Sequence, residues 1–150
     1  MKLILCADDY AQSAGIDKAI IQLIQQKRLS AASCMTLSPR WKDAAKSITP
    51  AIKKQAAIGL HLDFTHFGNA YAHHELIALS YARLLSKKHI VEHINKQLDL
   101  FEEAIGSPPD YIDGHQHVHQ LPQIRDALVD ILTKRYKAKL PWLRIARPPL

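Results

Sequence analysis

The residues able to do chemistry collect in three short stretches: Asp8-Asp9, His61 with Asp63, and Asp113-Gly114-His115-Gln116-His117-Val118-His119. The last puts three imidazoles in five positions, directly after a carboxylate. In a strand, alternation would point His115, His117 and His119 the same way. In a helix, His115 and His119 would lie one turn apart on one side. Either geometry offers imidazoles to a single metal ion. Neighbouring carboxylates at a strand end point in different directions, so one can bind metal while the other acts as a base. Asp9, His61 and His115 would then form a two-imidazole, one-carboxylate set with positions left for water and substrate, and Asp8 would be the base. A divalent ion there polarises an acyl oxygen and lowers the pKa of bound water from about 15.7 toward about 7. Gly59, two residues before His61, is expected to let backbone approach a ligand.

Other candidates carry less. Tyr10 either stacks on a sugar or packs. His66, His73 and His74 fall in an expected surface loop, and His89 and His93 share a helix face that reads as solvated. The sequence has no Gly-rich phosphate loop, no GxSxG elbow and no context for a cysteine nucleophile.

The elements that must position these groups alternate along the chain. Strands are predicted over residues 2–7, 31–37, 56–64 and 142–146, and residues 111–119 read as a fourth strand with its outgoing loop. The first is a continuous apolar run, as in a strand covered on both faces. Helices are predicted from Ser13 or Asp17 to about Lys27, over 39–48 with a restart at Pro50, over 81–105, and over 123–136. Residues 65–80 show no clear period and read as a loop. Strand-helix alternation implies an α/β fold with a parallel sheet and right-handed crossovers. All three polar clusters then fall at strand C-terminal ends, where active sites of such sheets sit.

Size and charge set the remaining bounds. One domain over residues 1–150 is expected, and the 47% hydrophobic and 23% charged content is ordinary for a globular chain. The net charge of +6 comes from lysines and arginines scattered over helix faces and ends, which argues against a specific nucleic-acid partner. Cys6 and Cys34 sit in apolar runs without a CxxC and read as small buried hydrophobes of a reducing compartment. With neither a signal-peptide pattern nor a membrane-length apolar run, a cytoplasmic location is expected.

Three stretches in the same order resemble the YdjC-like carbohydrate deacetylase family: Ala7-Asp8-Asp9-Tyr10 with Ser13-Ala14-Gly15-Ile16, Gly59-Leu60-His61-Leu62, and residues 113–122 ending in Gln120-Leu121-Pro122. The resemblance implies a (β/α) barrel related to polysaccharide deacetylases that removes acetyl groups from N-acetylglucosamine units with a divalent metal. It places Asp9, His61 and His115 at the metal, Asp8 as catalytic base, and Tyr10, Asp63, His117 and His119 as supporting or substrate-side groups. Arg144 or Arg147 falls where the family has a basic residue that orients the base. Magnesium follows from the resemblance, whereas two imidazoles suit zinc or another transition ion better. The implied partner is an oligosaccharide or small substrate bearing N-acetylglucosamine. Family members run past 200 residues, and a later His-Pro motif supplies the general acid. Five strands give an incomplete barrel, so the sequence is expected to be either a fragment or a shortened relative that self-associates. A non-catalytic metal- or sugar-binding remnant and a metal-dependent phosphoesterase are the alternatives.

Overall fold

A computed structural model describes residues 3–146. Five strands form one parallel sheet in sequential order: β1 (Cys6–Tyr10), β2 (Ala31–Cys34), β3 (Ala57–Leu62), β4 (Tyr111–Gly114) and β5 (Trp142–Leu143). Six helices connect them: α1 (Ala14–Gln25), α2 (Trp41–Ala45), α3 (Pro50–Gln55), α4 (His73–Tyr81), α5 (Lys87–Ile105) and α6 (Pro122–Arg135). Sequential order with crossovers of one hand keeps the helices on one face of the sheet, as in a barrel wall and unlike a doubly wound sheet. This is the incomplete barrel expected.

The core lies between that face and the helices. Ala32, Cys34, Ile58, Leu60, Leu62 and Ile112 face it, meeting Ile20 and Ile24 of α1, Ile94, Leu98 and Phe101 of α5, and Leu128 of α6. Trp41 stacks on Phe101 at 6.0 Å and donates its indole N–H to the Leu100 carbonyl, tying α2 to α5. The alternate strand positions (Cys6, Asp8, Ser33, Gly59, His61, Tyr111, Asp113) belong to the opposite, inner face. There, Tyr111 stacks on Trp142 at 4.3 Å.

Several boundaries differ from the sequence reading. β1 starts at Cys6 and contains Asp8 and Asp9 instead of ending before them. Leu3, Ile4 and Leu5 are more than half exposed, because β1 is an edge strand with nothing described beyond it. Residues 65–80 are not all loop: α4 occupies Pro-free, helix-competent sequence from His73. The helix predicted over 81–105 breaks before α5. Arg83 takes a φ of 57°, Gln123 bonds both the N–H and the carbonyl of Leu85, and Ser86 caps α5 by accepting from His89 N. Leu84, within the range predicted as helix, is consequently exposed. Gly106, at φ 74°, ends α5 in the left-handed conformation that a Cβ disfavours. No helix among the described residues is long and apolar enough to cross a membrane.

Candidate active site

Strand register brings the site together. His61 of β3 is paired in register with Asp113 of β4. Their side chains therefore stand side by side on the inner face, with Asp113 Oδ1 2.6 Å from His61 Nδ1. Arg144 directly follows β5, and its backbone N–H donates to the Ile112 carbonyl. Its Nη2 reaches 2.9 Å from Asp113 Oδ2, an ion pair without hydrogen-bond alignment. The same Nη2 lies 2.7 Å from each oxygen of Asp8. Ser33 Oγ donates to Asp8 Oδ1 at 3.3 Å and lies 3.2 Å from His61 Nδ1.

Asp8 and Asp9 diverge because β1 is irregular between Ala7 and Tyr10 and Asp9 has a φ of 62°. A non-glycine residue there costs on the order of 1–3 kcal/mol and persists only where its surroundings over-determine it. They do so here. The buried Asp17 of α1 accepts from Ala11 N at 2.7 Å, and Ser38 Oγ donates to the Ala11 carbonyl at 2.6 Å. Asp17 thus braces the turn, while Ser13 caps α1. The bend swings Asp9 Oδ1 to 3.2 Å from His61 Nε2 and 3.1 Å from His115 Nδ1. One donor atom from each of Asp9, His61 and His115 lies within 4.8 Å of the others.

This geometry answers the sequence expectations residue by residue. Asp9, His61 and His115 converge, and Arg144 sits against Asp8; Arg147 lies outside the described residues. The three histidines of the motif do not share a face. β4 ends at Gly114, and Gln116 and His117 take positive φ, so the chain turns in a 3₁₀ segment over His115–Gln120. His117 is exposed, and His119 is buried with Nε2–H donating to the Arg144 carbonyl at 2.8 Å. Gly114 is needed for that packing, since a Cβ there would lie 2.8 Å from the His119 ring. Gly59 serves Tyr111 in the same way, at 2.5 Å, and not a ligand.

Tyr10 packs, donating its hydroxyl to the Ala44 carbonyl at 2.8 Å. Asp63 is fully buried and organises the loop after β3: Oδ1 accepts from Thr65 N and His66 N, and Oδ2 from Gly68 N. His93 is not on a solvated face. It donates Nε2–H to the Asp63 carbonyl at 2.8 Å and packs on Phe64, and burial pulls its pKa down. Cys6 is half-buried with its sulfur 2.7 Å from the Tyr111 hydroxyl, so it is more than a core hydrophobe.

Sequence reasoning missed Asp113 and Ser33. Asp113 was readable as the carboxylate closing β4, but its partner depends on a register that only the folded sheet fixes.

Electrostatically, the site favours positive charge. Burial pulls the His61 pKa down, but hydrogen bonds to Asp113 and Asp9 outweigh it and raise the pKa to about 9. Asp9 is held below the usual carboxylate value, chiefly by its hydrogen bond to His61. A carboxylate and two imidazoles aimed at one spot, with Asp9 30% and His115 20% exposed, fit a divalent transition ion reachable from solvent.

A profile of the family described as YdjC-like protein matches residues 2–150. A chitooligosaccharide deacetylase of Serratia marcescens is 32% identical over 136 residues, covering 81% of this chain and 52% of the relative. Carbohydrate deacetylases of Geobacillus stearothermophilus and Xenopus laevis are 27% and 24% identical, covering 97% and 88% of this chain and 61% and 47% of theirs. The chain therefore spans about half the length of the curated relatives it matches. A crystal structure of an Enterococcus faecalis protein assigned to cellobiose-phosphate cleavage superposes with a TM-score of 0.73 at 20% identity, over 97% of this chain and 59% of the other. That likeness speaks to the fold alone. With the family profile matching residues 2–150, the chain belongs to the YdjC-like family.

Proposed function

We propose that the site hydrolyses the N-acetyl amide of an amino sugar or short chitooligosaccharide, with Asp9, His61 and His115 holding a divalent ion and Asp8 serving as the base. The observation that carries this reading is the convergence of those three donors beside an arginine-held carboxylate at the strands' C-terminal ends. The names of the relatives supply the substrate class. When bound, a divalent ion supplies Lewis-acid polarisation of an acyl oxygen and acidifies water. Zinc suits two nitrogens and one oxygen better than magnesium does.

The remaining work falls to the chain's own groups. Arg144 orients the Asp8 side chain toward the site, reaching both of its oxygens. Asp8 Oδ1 already accepts from Ser33, from Arg144 and weakly from Cys6, whereas Oδ2, among the described residues, accepts from Arg144 alone. Oδ2 is thus the atom free to take the proton from attacking water. The Asp8 side chain is 39% exposed, so water and substrate reach it.

The test is acetate release from diacetylchitobiose by the chain loaded in turn with zinc, cobalt and magnesium. Release that stops on chelation, and is absent from Asp8→Asn, supports the reading. Metal and sugar binding without acetate would indicate the non-catalytic remnant. Phosphate release from an aryl phosphate would indicate the phosphoesterase.

A further inference from the structure

Asp113 is a carboxylate that the proposed reaction leaves without a task. It is nearly sealed, with 2% of its side chain exposed, and it sits between the two halves of the site. Burying a carboxylate is costly unless both oxygens are engaged. Here Oδ1 meets His61 Nδ1 at 2.6 Å, and Oδ2 meets Arg144 Nη2 at 2.9 Å. Beyond those partners lie the two functional groups. His61 Nε2 points at Asp9, and Arg144 holds Asp8.

We propose that Asp113 is the positioning residue that sets both halves at once: Oδ1 fixes the His61 ring with its proton on Nδ1, leaving Nε2 as the donor toward Asp9 and His115, while Oδ2 seats Arg144 against Asp8. This rests on the reading of Asp9, His61 and His115 as a metal set.

Geometry favours Asp113 over the alternative partner of Nδ1. Ser33 Oγ is farther, at 3.2 Å, and is also turned to Asp8. A carboxylate can only accept from Nδ1, so it dictates the tautomer, whereas a hydroxyl can donate or accept. An outer carboxylate of this kind typically contributes 10–100-fold to metal affinity. Its second oxygen gives it a further role. Because Arg144 is shared between Asp113 and Asp8, disturbing one carboxylate moves the arginine on the other. The His119 contact to the Arg144 carbonyl anchors the backbone, leaving Asp113 to place the guanidinium.

The discriminating experiment is 15N NMR of the histidine rings in the metal-free chain, read at a pH where the ring signals themselves show His61 to be neutral. In the parent, His61 should carry its proton on Nδ1. In Asp113→Asn, the amide can donate to Nδ1, and the proton should move to Nε2; Ser33→Ala should leave it on Nδ1. Zinc affinity, read by competition with a chromophoric chelator, should fall about 10–100-fold in D113N. A purely structural role would lower Tm without moving the proton. A parent His61 protonated on Nε2 overturns the proposal, and this readout does not require the variant to fold. So does a folded D113N with unchanged tautomer and affinity. A tautomer that moves as expected in a chain that fails to retain zinc upholds the role of Asp113 in orienting His61 and counts against the metal set itself.

Discussion

Arg135 and Arg144 are each clamped by two carboxylates, in different settings. On the helical side, Arg135 of α6 lies 2.6 Å from Asp99 and 2.7 Å from Glu102 of α5, and Tyr136 hydrogen-bonds the same Glu102. On the inner sheet face, Arg144 lies 2.7 Å from Asp8 and 2.9 Å from Asp113. The first cluster closes on itself: its members satisfy one another and join two helices. The second stays open. Asp113 spends its other oxygen on His61, Asp8 keeps an oxygen with spare acceptor capacity, and the contacts lead on to the atoms of Asp9, His61 and His115 that face one another. The same arginine-carboxylate chemistry acts as a clasp in one place and as an aiming device in the other.

That contrast can be broken in order of effect. Removing the base with Asp8→Asn should lower acetate release by about 10²–10⁴-fold while leaving zinc affinity within a few-fold. A parallel collapse of zinc affinity would make Asp8 a metal ligand as well as the base. Arg144→Met should cost about 10²-fold in kcat through misplacement of Asp8, with a much smaller change in Tm. Arg135→Met should do the reverse. It should remove about 1–2 kcal/mol of stability, measured by urea unfolding, and leave turnover and zinc affinity intact.

The smallest effect lies in the pH dependence of the clasp. Burial pushes the Glu102 carboxyl up, but hydrogen bonds from Arg135 and Tyr136 more than reverse this and hold it below its ordinary 4.5. A depressed carboxyl stabilises the fold above the ordinary value, and the contribution disappears as pH falls through the lowered one. The Tm gap between the parent and R135M should therefore narrow on acidification below about pH 4.5. A gap that stays constant down to acid unfolding would remove Glu102 from the explanation.

Much of the site was legible before folding. Asp8-Asp9, His61 and His115 announce themselves because acids and imidazoles end otherwise apolar strands, and parallel sheets place such ends together. What the chain concealed were choices made by tertiary contacts. Nothing local says that β4 stops at Gly114, yet that stop, with the left-handed Gln116 and His117, separates His115 from His119. Asp63 reads as a supporting or substrate-side group because it follows His61 by two residues. Only the course of the loop shows three N–H groups closing on it. The break before α5 depends on Gln123 reaching across to Leu85, 38 residues away. Asp113 lay in plain view within the motif, but its value comes from a neighbour 52 residues earlier in the chain.

If Asp9, His61 and His115 share one cation, crystals soaked in zinc will show it by anomalous scattering at the zinc edge. The expected result is one strong peak bonded to Asp9, His61 Nε2 and His115 Nδ1, lost in His115→Ala. A peak held by other residues, or none at this triad under saturating zinc, would contradict it.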